Sequence, residues 1–110
     1  MFFRSDITKG LSEYRHTEGA LLIDVREKDE YSSGRIPGAV NIPLSVIERF
    51  NLSISGDTPI FLYCLRGSRS RRAMGILKKR GYSNVKSIGG ISGYKGKIEK
   101  SPVNAWHQMI

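Results

Sequence analysis

The sequence predicts an α/β fold: a mostly parallel sheet covered by helices on both faces. Three observations carry that expectation. Short β-rich apolar runs at residues 20–23, 39–42, 60–63 and 84–88 alternate with segments of helical spacing. The first run is continuously apolar, as a strand buried on both faces would be. Glycine or proline also punctuates the junctions, at Gly34, Pro37-Gly38, Pro43, Gly56, Gly81 and Gly89-Gly90.

In chain order, Asp6 can cap a first helix whose apolar positions Ile7, Leu11 and Tyr14 recur at helical spacing and which ends near Gly19. After the strand at 20–23, residues 27–33 read as a short helix stopped by Gly34. Pro37-Gly38 turns the chain into the strand at 39–42, and Pro43 ends it. Residues 44–52 carry helical spacing, and Ser55-Gly56-Asp57 makes a turn before the strand at 60–63. A helix from Ser68 or Ser70 to Arg80 turns Ala73, Met74, Ile76 and Leu77 toward the core, with Gly81 as its C-terminal stop. These four are packing residues. The strand at 84–88 follows, and Gly89-Gly90 allows a tight turn into a last short helix around 92–99. Residues 100–110, with Trp106, form a C-terminal extension whose docking the sequence does not specify.

The chain of 110 residues suits one domain, 1–110, built around one core. No run approaches the length of a membrane span, and Met1-Phe2-Phe3 is soon followed by Arg4, Asp6 and Lys9 rather than by an apolar leader. The expectation is a cytoplasmic protein. One cysteine excludes an internal disulfide, and with only His16 and His107 beside it no structural zinc site or other metal is expected. No cofactor is implied.

The net charge of +8 is unevenly spread. Residues 58–98 hold ten basic side chains and no acidic one, whereas residues 1–57 are slightly acidic. Such asymmetry suits nucleic acid, an anionic membrane or a small anionic substrate. Lys78, Lys79 and Arg80 fall at a helix C-terminus, where cations are favourable, and read as a solvated face. Aromatic residues are not interleaved with the cations as a stacking platform requires. Neither nucleic acid nor membrane is the expected partner; a small anion drawn toward Cys64 is.

Cys64 stands where the strand at 60–63 gives way to the helix, in Tyr63-Cys64-Leu65-Arg66-Gly67-Ser68-Arg69-Ser70. Free cysteine is usually a buried, inert small hydrophobe, and that reading stays open for a lone cysteine at a strand end. Two features favour reactivity. A thiol in this position lies beneath the unpaired N–H groups of the helix's first turn, and Gly67 lets the loop turn successive amides inward. Those groups and the helix dipole lower a thiol pKa and attract anions. In addition, Arg69, Arg71 and Arg72 crowd the positive end of the helix, a conflict that an incoming anion resolves. Ligands of parallel sheets bind beyond the carboxyl ends of the strands, which is where Cys64 lies.

Three stretches together resemble the rhodanese family. The first signature is matched by Leu21-Leu22-Ile23-Asp24-Val25-Arg26, Glu30-Tyr31 and residues 34–43. The active-site loop is matched by residues 63–70, and the closing signature by residues 85–91 with Gly89-Gly90. The three occur in the family's order and spacing, over about residues 6–99. The resemblance implies a small rhodanese-like domain with a mostly parallel five-stranded sheet. It also implies a sulfurtransferase that carries sulfur on its cysteine as a persulfide. Two positions depart from the pattern. Arg35 stands where the family often has histidine, and Tyr94 where it often has tryptophan; neither is the nucleophile, and Tyr94 keeps the ring.

On this reading the Cys64 thiolate takes the outer sulfur of thiosulfate or a similar small anionic donor. A nucleophilic acceptor (cyanide, a thiol or a sulfur-acceptor protein) then removes it. The backbone amides of Leu65, Arg66, Gly67, Ser68, Arg69 and Ser70 hold the charge that develops. Arg66 and Arg69 add charge-assisted hydrogen bonds to the dianion, with a salt bridge to Asp24 or Glu30, or plain exposure, as the structural alternatives for either arginine. Asp24, Arg26, Glu30 and Pro37 read as scaffold, and Arg35 as scaffold with a rim contact. Two alternatives remain. A cysteine-dependent phosphatase or arsenate reductase of related fold uses the same cradle but places five residues between cysteine and arginine, where this chain has four. A rhodanese-like sulfur-delivery or partner-binding module is the other.

Overall fold

The computed structural model describes residues 7–100. Asp6 and the 101–110 extension with Trp106 lie outside the described residues, so the helix cap and the docking of the extension do too. The chain runs α1 (Ile7–Arg15), β1 (Leu21–Asp24), α2 (Lys28–Ser33), β2 (Val40–Asn41), α3 (Leu44–Ile47), β3 (Ile60–Cys64), α4 (Ser68–Lys79), β4 (Val85–Gly90) and a 3₁₀ turn at Ile91–Gly93.

The strands form one sheet in the order β2-β1-β3-β4, every neighbour parallel. Among the described residues the sheet therefore has four strands, one fewer than the resemblance implies. Side chains alternate between its faces. Ile23, Ile60, Leu62, Cys64 and Val85 pack with Ile47 of α3 and Ala73 and Leu77 of α4. Leu22, Phe61, Tyr63 and Ile88 pack with Ile7 and Leu11 of α1 and Tyr31 of α2. Helices thus cover both faces, as the alternation of elements predicts, and β3 is buried along its whole length. Gly10 lets α1 lie directly against β4, because a Cβ there would come within 2.4 Å of Ile88.

Two expected helices differ. The helix at 44–52 is a single turn, Leu44–Ile47: Arg80 of the α4 C-terminus donates to the carbonyls of Ile47 at 2.8 Å and Phe50 at 2.9 Å, closing that end. The helix expected around 92–99 does not form beyond Ile91–Gly93. Gly93 and Gly96 weaken it. Glu99 instead pairs its backbone with Arg35 in an antiparallel bridge, with both N–H···O bonds at 2.9 Å.

The strand order reverses at the centre. The connection from β1 leads outward to β2, and the connection from β2 crosses back over β1 to β3. The carboxyl ends of β1 and β3 therefore open a crevice at the switch point, the usual ligand position in such sheets.

Candidate active site

At the end of β1, Asp24 and Arg26 form a buried pair. Arg26 donates from its backbone N–H (2.9 Å), Nε (3.0 and 3.1 Å) and Nη2 (2.7 Å) to the Asp24 carboxylate. Nη2 also reaches the Gly34 carbonyl at 2.7 Å, and Asn41 Nδ2 donates to the carbonyls of Asp24 and Arg26. These bonds clamp the loops after β1 and α2 to the sheet. Asp24 thus pairs with Arg26.

β3 delivers Cys64 to the same crevice. Opposite it, the β3–β4 register shifts: Leu62 faces Ser87 but Cys64 faces Gly90, so β4 carries one extra residue across this interval. Gly89 takes up the bend at φ 114°. Gly90 then lies against the loop, and a Cβ there would fall 2.1 Å from the Leu65 carbonyl oxygen and 2.5 Å from Arg66 Cα. The expected turn at Gly89-Gly90 is in fact the end of β4, and the glycine serves close approach to the loop. Ser92 N–H fixes the Leu65 carbonyl at 3.1 Å.

Gly67 turns the loop into α4 in a left-handed conformation, φ 112°. No side chain of the N-terminal residue caps the helix; the sulfur of Cys64 does so instead. Sγ accepts the N–H groups of Gly67 at 3.0 Å and Ser70 at 3.4 Å, and the thiol lies 3.7 Å from Ser70 Oγ. Burial pushes the thiol pKa up. Hydrogen bonds from the Ser70 amide and hydroxyl and from the Gly67 and Arg66 amides outweigh it and bring the pKa below the ordinary value. The lowering comes chiefly from this cradle.

The expected site residues separate into groups. Cys64, Gly67 and Ser70 are buried together. Leu65, Arg66 and Ser68 are exposed at the mouth of the loop. Arg69 takes the structural alternative: its Nη atoms bind Glu30 of α2 at 2.8 and 3.1 Å. Arg69 holds the Glu30 carboxyl down at about 2. Among the described residues Arg66 and Arg71 make no ion pair, and the Arg71 guanidinium folds back over Gly67. Arg35 stacks on Tyr31 with 4.6 Å to the ring centroid and pairs with Glu99 at 3.7 Å. Tyr94 packs against the α1-side core, with its hydroxyl donating to the Lys97 carbonyl. Ser87, whose hydroxyl lies 2.7 Å from that of Ser70, is a site residue that sequence reasoning missed. The one signal for it was a polar residue at an inward position of a buried strand.

No group of three or more metal-binding side chains gathers among the described residues, and no helix among them is long and apolar enough to cross a membrane. The arrangement can hold a sulfur anion against converging amides and admit an anion through a cationic mouth.

A family model described as a rhodanese-like domain matches residues 8–97. An uncharacterized protein of Bacillus subtilis, YqhL, is 40% identical over 101 residues, 88% of this chain and 80% of that protein. Thiosulfate sulfurtransferase GlpE of Pseudomonas entomophila is 34% identical over 73 residues, 66% of this chain and 67% of the relative. Among solved structures, a rhodanese from E. coli with bound anions superposes with TM-score 0.68 at 28% identity, covering 74% of this chain and 99% of that one.

Proposed function

The chain belongs to the rhodanese-like domain family, and on that premise we propose that it is a sulfurtransferase working through a Cys64 persulfide. The Cys64 thiolate attacks the outer sulfur of thiosulfate. The sulfur–sulfur bond of the donor breaks, sulfite leaves with the electron pair, and Cys64 carries the transferred sulfur. An acceptor nucleophile then attacks that outer sulfur and restores the thiolate. With cyanide as acceptor the product is thiocyanate. The loop amides stabilise the anion at each stage without reorganising. The observation that carries the reading is the convergence of the Gly67 and Ser70 amides on Sγ.

The Arg69–Glu30 pair weighs against phosphatase or arsenate reductase chemistry, which needs that arginine on the tetrahedral oxyanion. A sulfur-acceptor protein is a second reading for the acceptor. It is favoured by the likeness to a protein of Bacillus subtilis named as a putative sulfur carrier, YrkF, 35% identical over 83 residues.

Intact mass spectrometry after incubation with thiosulfate tests the proposal. One sulfur atom should be gained by the wild type, none by Cys64→Ala, and cyanide or a thiol should remove it. With no second cysteine in the chain, discharge depends on that external acceptor. No mass gain in the wild type, or the same gain in Cys64→Ala, would refute sulfur transfer through Cys64.

A further inference from the structure

Ser87 sits in the middle of β4, opposite Leu62 and on the same face as Val85, which packs in the α4-side core. That places its side chain against the first turn of α4. Its hydroxyl meets Ser70 Oγ at 2.7 Å. Ser70 is fully buried and also lies 3.0 Å from the Gly67 carbonyl and 3.7 Å from Cys64 Sγ.

The protons can be counted. Ser70 has one hydroxyl hydrogen and two lone pairs. With the sulfur as a neutral thiol, that hydrogen goes to the Gly67 carbonyl, and the thiol hydrogen goes to Ser70 Oγ. The short contact between the two serines then requires the hydrogen of Ser87. When Cys64 ionises, its proton is gone and Sγ becomes a stronger acceptor. Ser70 can turn its hydrogen to the sulfur at little cost, because the Gly67 carbonyl still holds the Arg71 N–H at 3.1 Å. In that state Ser87 is the donor left to Ser70 Oγ.

We propose that Ser87 is a positioning residue for the reactive sulfur. By donating to Ser70 Oγ it polarises the Ser70 hydroxyl and leaves its hydrogen free to serve the sulfur anion. Its role in sulfur transfer rests on the function proposed above. Its effect on the thiol does not. Neither serine exchanges a proton with solvent in this scheme; the Ser70 hydrogen only changes acceptor. Loss of the Ser87 hydroxyl falls mainly on the ionised state, since the neutral thiol still supplies a hydrogen to Ser70 Oγ. Aligned hydroxyls also reinforce one another in a low-dielectric interior.

The test measures alkylation of Cys64 by iodoacetamide against pH in the full chain, with no sulfur donor present. Ser87→Ala should move the midpoint up by about half to one pH unit, slowing alkylation roughly three- to tenfold below the midpoint. Ser87→Thr, which keeps the hydroxyl, should stay near the wild type. Ser70→Ala should raise the midpoint at least as far, and the double variant no further than Ser70→Ala alone. If Ser87→Ala does not fold, comparison of Ser87→Thr with Ser87→Val isolates the hydroxyl on a side chain of the same shape. An unchanged midpoint in Ser87→Ala, or a further shift on the Ser70→Ala background, would overturn the proposal. This readout involves no sulfur transfer, so its failure is separable from failure to form a persulfide.

Discussion

The side chain that accepts an N–H of a helix's first turn is ordinarily a serine, threonine, aspartate or asparagine oxygen. Before α4 that acceptor is the sulfur of Cys64, and the group that satisfies the helix end is also the nucleophile proposed above. The first turn holds no acidic residue to compete for the same amides. The neighbouring ion pair has a different consequence. Glu30 is held at about 2, chiefly by the hydrogen bond from Arg69, against an ordinary value of 4.5. A carboxylate whose folded pKa is depressed stabilises the fold fully above its unfolded value, and loses that contribution as pH falls through the folded one. The half-exposed pair should contribute about 0.5–1 kcal/mol. Thermal melts of wild type and Glu30→Gln should therefore differ by about 2–6 °C at pH 6, and the difference should shrink between pH 4.5 and 2. A difference that persists at pH 2 would assign the effect to packing.

The loop between β3 and α4 works because three elements fix it. β3 supplies the buried anchor, α4 the amides, and the bulged end of β4 the wall against which Leu65 and Arg66 rest. Its mouth is cationic: Arg66 and Arg71 are exposed and unpaired among the described residues, while Lys79 lies at the opposite end of α4. Attraction of an anionic donor to exposed charges is screened over about 8–10 Å at ordinary ionic strength. Arg66→Gln should lower the rate constant for loading Cys64 with thiosulfate about three- to tenfold at low salt, with Lys79→Gln near wild type. Added salt should slow the wild type and narrow the gap. Arg69 is held by Glu30, so Arg66 is the loop arginine expected to have the larger effect. Equal losses at Arg66 and Lys79 would show that only the diffuse field acts.

At the scale of the whole molecule, the site exists because the sheet changes direction between β1 and β3 and leaves a crevice at their carboxyl ends. Asp24 and Arg26 hold the rim of that crevice from within the protein. Removing one member of a buried pair strands the other charge, at a cost of about 3–5 kcal/mol. Urea unfolding should show a loss of that order for Asp24→Ala. Asp24→Leu with Arg26→Met, which leaves no buried charge, should recover part of it. A small loss in Asp24→Ala would mean that Arg26 finds water or another acceptor when freed.

The alternation of apolar runs with helical spacing determined, from the sequence alone, the parallel α/β architecture and the positions of four strands to within a residue or two. Cys64 at a strand-to-helix junction, three residues before Gly67, marked the candidate site for the same reason: those signals are local, carried by side chains within one turn or one strand. The tertiary structure decided what depends on partners distant in sequence. Glu30 and Arg69 are 39 residues apart, and Ser70 and Ser87 are 17 apart. Arg80 ends α3 across 33 residues, and Glu99 leaves its expected helix to pair with the backbone of Arg35. Nor does local spacing reveal that Gly90 must lack a side chain because the loop after β3 lies against it. Periodicity states which face of an element is buried. Which residue then meets an arginine, a hydroxyl or a bare carbonyl is set by strand order and register, and these exist only once the chain has folded.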